Sequence, residues 1–295
     1  MFDGFELATI DVGEIRVRAR IAGDGPPLLL LHGNPQTHLM WHRVAPLLAD
    51  DFTVVAPDLR GYGMTSKPPS TPDHHPYSKR VMAEDQIGLM AALGHDRFSV
   101  AGHDRGGRVG YRLAIDHPQV VERLAVLDIV PTGEAFSRGG REFGLSLYHW
   151  FFLAQPAPLP EKLIGADPEW FWRWHTTRGP DTSFFDPEAL DDYLGCFRDP
   201  ETIRGMCEDY RAGATVDFEH DLADMEAGGR ILCPTLVLWG ARAKLGEWYD
   251  MVDVWRAWAG DVQGRSLPCG HYLAEEAPSE TAAELLAFFQ PEGHE

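Results

Sequence analysis

Positive charge, cysteine and long apolar runs are all scarce in this chain of 295 residues. Lys and Arg number 26 against 45 Asp and Glu, a formal net charge of −19. A surface so acidic repels phosphate backbones, so a nucleic-acid partner is excluded. The four cysteines, Cys196, Cys207, Cys233 and Cys269, are scattered and lack metal-ligand spacing. That excludes a disulfide scaffold and a zinc site, and it fits reduced thiols in a cytoplasm. No metal and no cofactor are expected. No apolar stretch approaches the ~18 residues of a membrane span. The opening Met1-Phe-Asp-Gly-Phe-Glu has neither the basic start nor the apolar core of a secretory signal. Internal repeats and low-complexity tracts are also lacking.

What is present is the composition of a globular enzyme, 44% hydrophobic and 11% aromatic. Glu6–Ile10 and Glu14–Ile21 read as a hairpin, the second run alternating as a half-exposed strand should. Pro27–His32, Thr53–Ala56, Phe98–Ala101 and Arg123–Asp128 are apolar runs typical of strands buried on both faces. Residues 67–77 form a loop rich in Pro, Ser and His, and Arg80–Leu93 has helical spacing. Strand signals resume at Thr235–Trp239 and Gly264–Leu267, and a helix over Thr281–Phe289 closes the chain. Strands alternating with helices predict an α/β fold with a mainly parallel sheet. Between the two sets of strands, prolines and aromatics crowd in, as in Tyr148-His-Trp-Phe-Phe152 and Trp170-Phe-Trp-Arg-Trp174. The expected organisation is a core of residues 1–132 and 227–295 carrying a helical cap of residues 133–226.

The chemistry centres on Gly102-His-Asp-Arg-Gly106, which follows an apolar strand and leads into a helical segment, Val109 to Ile115. This is the G-x-nucleophile-x-G elbow, with Asp where many hydrolases carry Ser. A Gly-rich turn with an N-capping Asp would read the same way. A carboxylate nucleophile suits displacement at saturated carbon, giving an ester on Asp104 that water must cleave. That step needs a base, an acid to orient it and an oxyanion hole. His271 follows the last strand and a Gly, where the base of such a chain belongs. No carboxylate stands directly after Trp239, whereas Asp128 ends its own strand, so Asp128 is assigned as the acid. The backbone N–H groups of Asn34 and Arg105 are the candidate oxyanion donors. Arg105 and Arg108 flank the nucleophile in an acidic chain. Their planar forks suit a carboxylate, either Asp104 itself or that of a substrate. An Asp locked in a salt bridge would be a poor nucleophile, which favours the substrate.

With these residues in view, the chain resembles the fluoroacetate dehalogenases, haloacetate dehalogenases of the α/β-hydrolase fold. The likeness rests on Gly102-His-Asp-Arg-Gly-Gly-Arg108, Leu127-Asp-Ile-Val-Pro131, Tyr148-His-Trp150, Gln155-Pro-Ala-Pro158, Cys207-Glu-Asp-Tyr-Arg-Ala212 and Gly270-His271. It implies an α/β-hydrolase fold, a small 2-haloacid substrate and a homodimer. It also implies Asp104 as nucleophile, Asp128 as acid, His271 as base, and Arg105 with Arg108 on the substrate carboxylate. His149, Trp150 and Tyr210 would surround the departing halide. One position departs from the family, which usually carries Phe where this chain has Asn34. Asn there is similar to the haloalkane dehalogenases, whose partner Trp after the nucleophile is replaced here by Arg105.

Two other functions remain open on sequence. An epoxide hydrolase also uses an elbow Asp and a His base, with cap tyrosines such as Tyr148 and Tyr210 as proton donors. Two arginines would suit a neutral epoxide poorly. A hydrolase fold reused as a small-molecule receptor is the third reading.

Overall fold

The computed structural model describes residues 1–177 and 182–290. The chain opens with β1 (Glu6–Val12) and β2 (Ile15–Ala22), then β3 (Pro27–Leu31), α1 (Ala45–Leu48) and β4 (Thr53–Pro57). Next come α2 (Lys79–Ala92), β5 (Phe98–His103), α3 (Arg105–Asp116) and β6 (Val121–Leu127). The sheet order is β1-β2-β4-β3-β5-β6-β7-β8, with β7 spanning Thr235–Gly240 and β8 spanning Val262–Leu267. Strand β2 is antiparallel to both its neighbours, and every pair from β4 to β8 is parallel.

Burial follows position in the sheet. Central β3 and β5 are apolar on both faces because helices cover both, and all six residues of β5 are buried. Edge strand β8 alternates instead, with Gln263 and Arg265 outward. Helix α3 begins at Arg105, four residues before the span read from sequence. Two glycines at its start are weak helix formers, yet the elbow requires them. A Cβ on Gly106 would meet the His32 carbonyl at 2.5 Å, and one on Gly107 would meet the Gly102 carbonyl at 2.7 Å. Tertiary contact thus overrides helix propensity here.

Between β6 and β7 the described residues are helical. They form α4 (Thr132–Arg138), α5 (Arg141–Ser146), α6 (His149–Leu153), α7 (Leu159–Gly165), α8 (Pro168–Thr177), α9 (Pro187–Phe197), α10 (Pro200–Ala214) and α11 (Val216–Ala227). Short α12 (Leu245–Trp248) and α13 (Met251–Arg256) precede β8, and α14 (Leu273–Glu276) and α15 (Pro278–Phe289) follow it. Among the described residues no helix is long and apolar enough to cross a membrane.

Candidate active site

A cavity of about 600 Å³ opens at the carboxyl ends of the strands, walled on the far side by the helices between β6 and β7. Asp104 stands on its floor. Its backbone is held at φ 45°, ψ −115°, an uncommon conformation for a non-glycine residue. The strain lifts the carboxylate off the end of β5 and aims it along the open edge of the sheet. Gly33 makes room, since a Cβ there would meet Asp104 Cβ at 2.6 Å. The Asn34 N–H donates to Asp104 Oδ2 at 3.1 Å, leaving Oδ1 as the unengaged oxygen. Burial works against the charge on Asp104. The nearby charges of His271, then Arg108 and Arg105, outweigh burial and hold its carboxyl below the usual range.

His271 lies in the turn after β8. Its Nδ1 is 2.6 Å from Asp128 Oδ2, so Nδ1–H donates and Nε2 is the bare, basic nitrogen. Asp128 is fixed in turn by the Gly240 N–H on its other oxygen, at 3.0 Å. Its own N–H donates to the Leu238 carbonyl, which ties the end of β6 to β7. Burial alone would lower the imidazole's pKa. The Asp128 hydrogen bond and charge, with Asp104 behind, raise it overall. Neighbouring His103 is buried and depressed to about 3, hence neutral, and its Nε2–H donates to the His271 carbonyl at 2.7 Å. The residue inside the elbow thereby pins the main chain of His271.

The two arginines differ sharply. Arg105 is clamped by Asp209 of α10 through Nε to Oδ2 at 2.8 Å and Nη2 to Oδ1 at 2.7 Å. Nη2 also reaches the Asp209 carbonyl, at 2.8 Å, so these bonds leave only Nη1 over. The guanidinium lies 4.3 Å from the centre of the Tyr210 ring, and Arg105 does not line the cavity. Arg108 does line it. Its Nη1 donates to the Val130 carbonyl at 2.9 Å and to Thr132 Oγ1 at 3.1 Å. Its plane faces Trp150 at 4.5 Å, and its buried Nε has no partner among the described residues. No described carboxylate forms a salt bridge with it. Burial, then the like charge of Arg105, push its pKa down, the signature of a cation in want of an anion.

His149 and Trp150 on α6 and Tyr210 on α10 all face the same cavity. Burial, with Asp104 next, raises the Tyr210 phenol well above its ordinary pKa, so it remains a donor. The side chains assigned to the dehalogenase reading therefore reach this cavity except that of Arg105, which stands behind Tyr210; Tyr148, the other tyrosine suited to an epoxide hydrolase, does not line it. Sequence reasoning missed His175 of α8, whose Nε2 is 2.9 Å from Asn34 Nδ2 and whose ring is 4.6 Å from that of His149. It also missed Asp209, which follows Glu208 and precedes Tyr210 on α10 and is fully buried, where an acid needs a cation. Phe143, Leu147, Leu245 and Trp248 form an apolar wall towards the mouth. Among the described residues no group of His, Cys, Asp and Glu is arranged to hold a metal ion.

Comparison with known proteins places this geometry. Residues 26–278 match the family model of the alpha/beta hydrolase fold. The chain is 49% identical over 293 residues to a fluoroacetate dehalogenase from a Burkholderia species, covering 98% of this chain and 95% of that one. It is 35% identical to the soluble epoxide hydrolase of Corynebacterium sp. strain C12, covering 92% of each. A solved Nostoc sp. PCC 7120 protein assigned to the alpha/beta hydrolases is 54% identical, with TM-score 0.96 over 98% of this chain and 99% of that one. The chain therefore belongs to the α/β-hydrolase fold family, and within it is more similar to the Burkholderia fluoroacetate dehalogenase than to the Corynebacterium epoxide hydrolase.

Proposed function

We propose that the protein is a haloacetate dehalogenase, converting fluoroacetate or chloroacetate to glycolate and halide. Arg108 carries this reading. It is a buried cation without a carboxylate partner, in the same cavity as an ionised elbow Asp. A 2-haloacid supplies the missing anion, whereas a neutral epoxide does not. Arg108 holds the substrate carboxylate, while Arg105, clamped by Asp209 outside the cavity, adds positive charge from behind Tyr210.

Asp104 Oδ1 attacks the halogen-bearing carbon and the carbon–halogen bond breaks. His149, Trp150 and Tyr210 solvate the departing halide with fixed N–H and O–H donors in place of water. The product is an ester between Asp104 and glycolate. His271 Nε2 then takes a proton from water, and the hydroxide adds to Asp104 Cγ. The negative charge gathers on Oδ2, the oxygen already facing the Asn34 N–H, with the Arg105 N–H as the second donor. Asp128 holds the imidazole's tautomer and stabilises its charged form. Collapse expels glycolate, whose alkoxide recovers the proton from His271. Esterification also removes the charge on Asp104, one of the influences that raise the His271 pKa, so the base is freer when it is needed.

The helices of residues 133–226 act as a cap that excludes bulk water from this chemistry. We assign the enzyme to the cytoplasm, in keeping with its unpaired cysteines. We also assign it a homodimeric state, for which exposed Trp170 and Trp174, stacked 5.8 Å apart on α8, offer an apolar face. Incubation with fluoroacetate, chloroacetate and styrene oxide tests the function directly. Halide release from the acids supports it. Diol formation from the epoxide without halide release, or binding without turnover, refutes it.

A further inference from the structure

A guanidinium beside a carboxylate nucleophile poses a problem that the fold solves with a second acid. Arg105 directly follows Asp104 in the chain, and an ion pair between them would tie up the attacking oxygens. The structure shows Arg105 turned the other way, into a fully buried cluster. There Asp209 also accepts from Tyr62 Oη at 2.6 Å and pairs with Lys79 Nζ. Lys79 bonds Asp217 as well, at 3.4 Å. A fork-to-fork grip on both carboxylate oxygens, in a fully buried site, is the strongest single contact available to a guanidinium.

We propose that Asp209 is a positioning residue that holds Arg105 off the nucleophile, so that Arg105 acts on the substrate only as a positive charge behind Tyr210. The proposal rests on the two-step dehalogenase reading above. Lys79 and Tyr62 keep Asp209 ionised and oriented, and the Arg105 plane in turn supports the Tyr210 ring. Without Asp209, Arg105 is a released cation next in sequence to Asp104, and a pair between them lowers the nucleophilicity of the ester-forming oxygen.

The test is the rate at which chloroacetate alkylates Asp104, followed by intact mass in a His271→Ala background where the ester accumulates. Asp209→Asn is expected to slow alkylation by at least about tenfold, the weight of one charge-assisted contact. Asp209→Glu, which keeps the charge, is expected to recover part of the loss. The decisive measurement is the effect of Arg105→Met in each background. It slows alkylation when Asp209 is present, because the positive charge behind the substrate site is lost and Asp209 is left an unpaired anion. It speeds alkylation when Asp209 is Asn, because the stray cation is gone. If Asp209→Asn fails to fold, Lys79→Met with Asp209→Asn removes one buried charge of each sign and takes its place. An unchanged alkylation rate, or Arg105→Met slowing both backgrounds alike, overturns the proposal. Absence of any adduct with Asp209 intact would instead refute the dehalogenase reading itself.

Discussion

Replacing Arg108 should separate binding from folding in a way that replacing Arg105 cannot. In the free enzyme Arg108 is a buried cation whose charge is answered by two hydrogen bonds to oxygen, the Trp150 face and no carboxylate. A substrate carboxylate takes the remaining edge of its fork. Charge-assisted hydrogen bonds are worth about 1.5–3 kcal/mol each. Losing two of them in Arg108→Met amounts to about 3–6 kcal/mol, or about 10²- to 10⁴-fold in kcat/KM. Arg108→Lys keeps the charge but not the fork, and should lose one bond, about ten- to a hundredfold. Neither change leaves an acid unpaired, so thermal stability should hold. Arg105→Met leaves Asp209 short of its main partner in a dry site, and breaking such a pair costs about 3–5 kcal/mol of stability. Halide release measured by electrode, alongside thermal unfolding, checks both halves. An Arg108→Met enzyme within about threefold of the native kcat/KM would refute the anchor, since so small a change is under one hydrogen bond.

Three further outcomes follow from the same geometry. His271→Ala should be alkylated by chloroacetate and not turn over, and in heavy-oxygen water the native enzyme's first glycolate should carry no label while Asp104 does. Trp150→Phe keeps ring area and removes the indole N–H, so it should slow fluoroacetate more than chloroacetate by about tenfold, fluoride being the anion that most needs a donor; Asn34→Phe tests whether the amide held by His175 supplies a rival halide contact. His271 must be neutral to act as base and its pKa is raised, so ester hydrolysis should rise with pH through that pKa. Because the ester has lost the Asp104 charge, the midpoint for hydrolysis should lie below the pKa of His271 measured by NMR in the free enzyme, and an equal or higher value would contradict the coupling.

The elbow and the residues proposed as its base and acid were legible because each is a local event. A strand end, a glycine and one titratable side chain suffice to mark them. Asp128 was legible partly by default, since no carboxylate stands directly after Trp239. Helix α3 was read short because two glycines at its start argue against a helix, and the close approach of Leu31 and His32 that requires Gly106 is a tertiary fact. The Arg105–Asp209 pair was hidden for a related reason. Its members are 104 residues apart, and a flanking Arg looks the same in sequence whether it faces the substrate or a buried acid. His175 was hidden because its place beside Asn34 depends on how α8 packs over the sheet.

The acid's location at the end of β6 has a consequence for the loop after β7. That strand serves the base only through the backbone N–H of Gly240 and the carbonyl of Leu238, neither of which depends on a side chain. The segment beyond it therefore need supply no acid. Its Arg242 braces the turn that carries His271, through the Pro268 carbonyl and through Glu276, which accepts from the Gly270 and Tyr272 N–H groups, whereas Lys244, Leu245 and Trp248 form part of the cavity's rim and wall. The entrance at these three residues can thus change in width, charge or polarity while the reacting groups stay where they are. Access and chemistry are separable characters in this protein, free to drift or be selected independently.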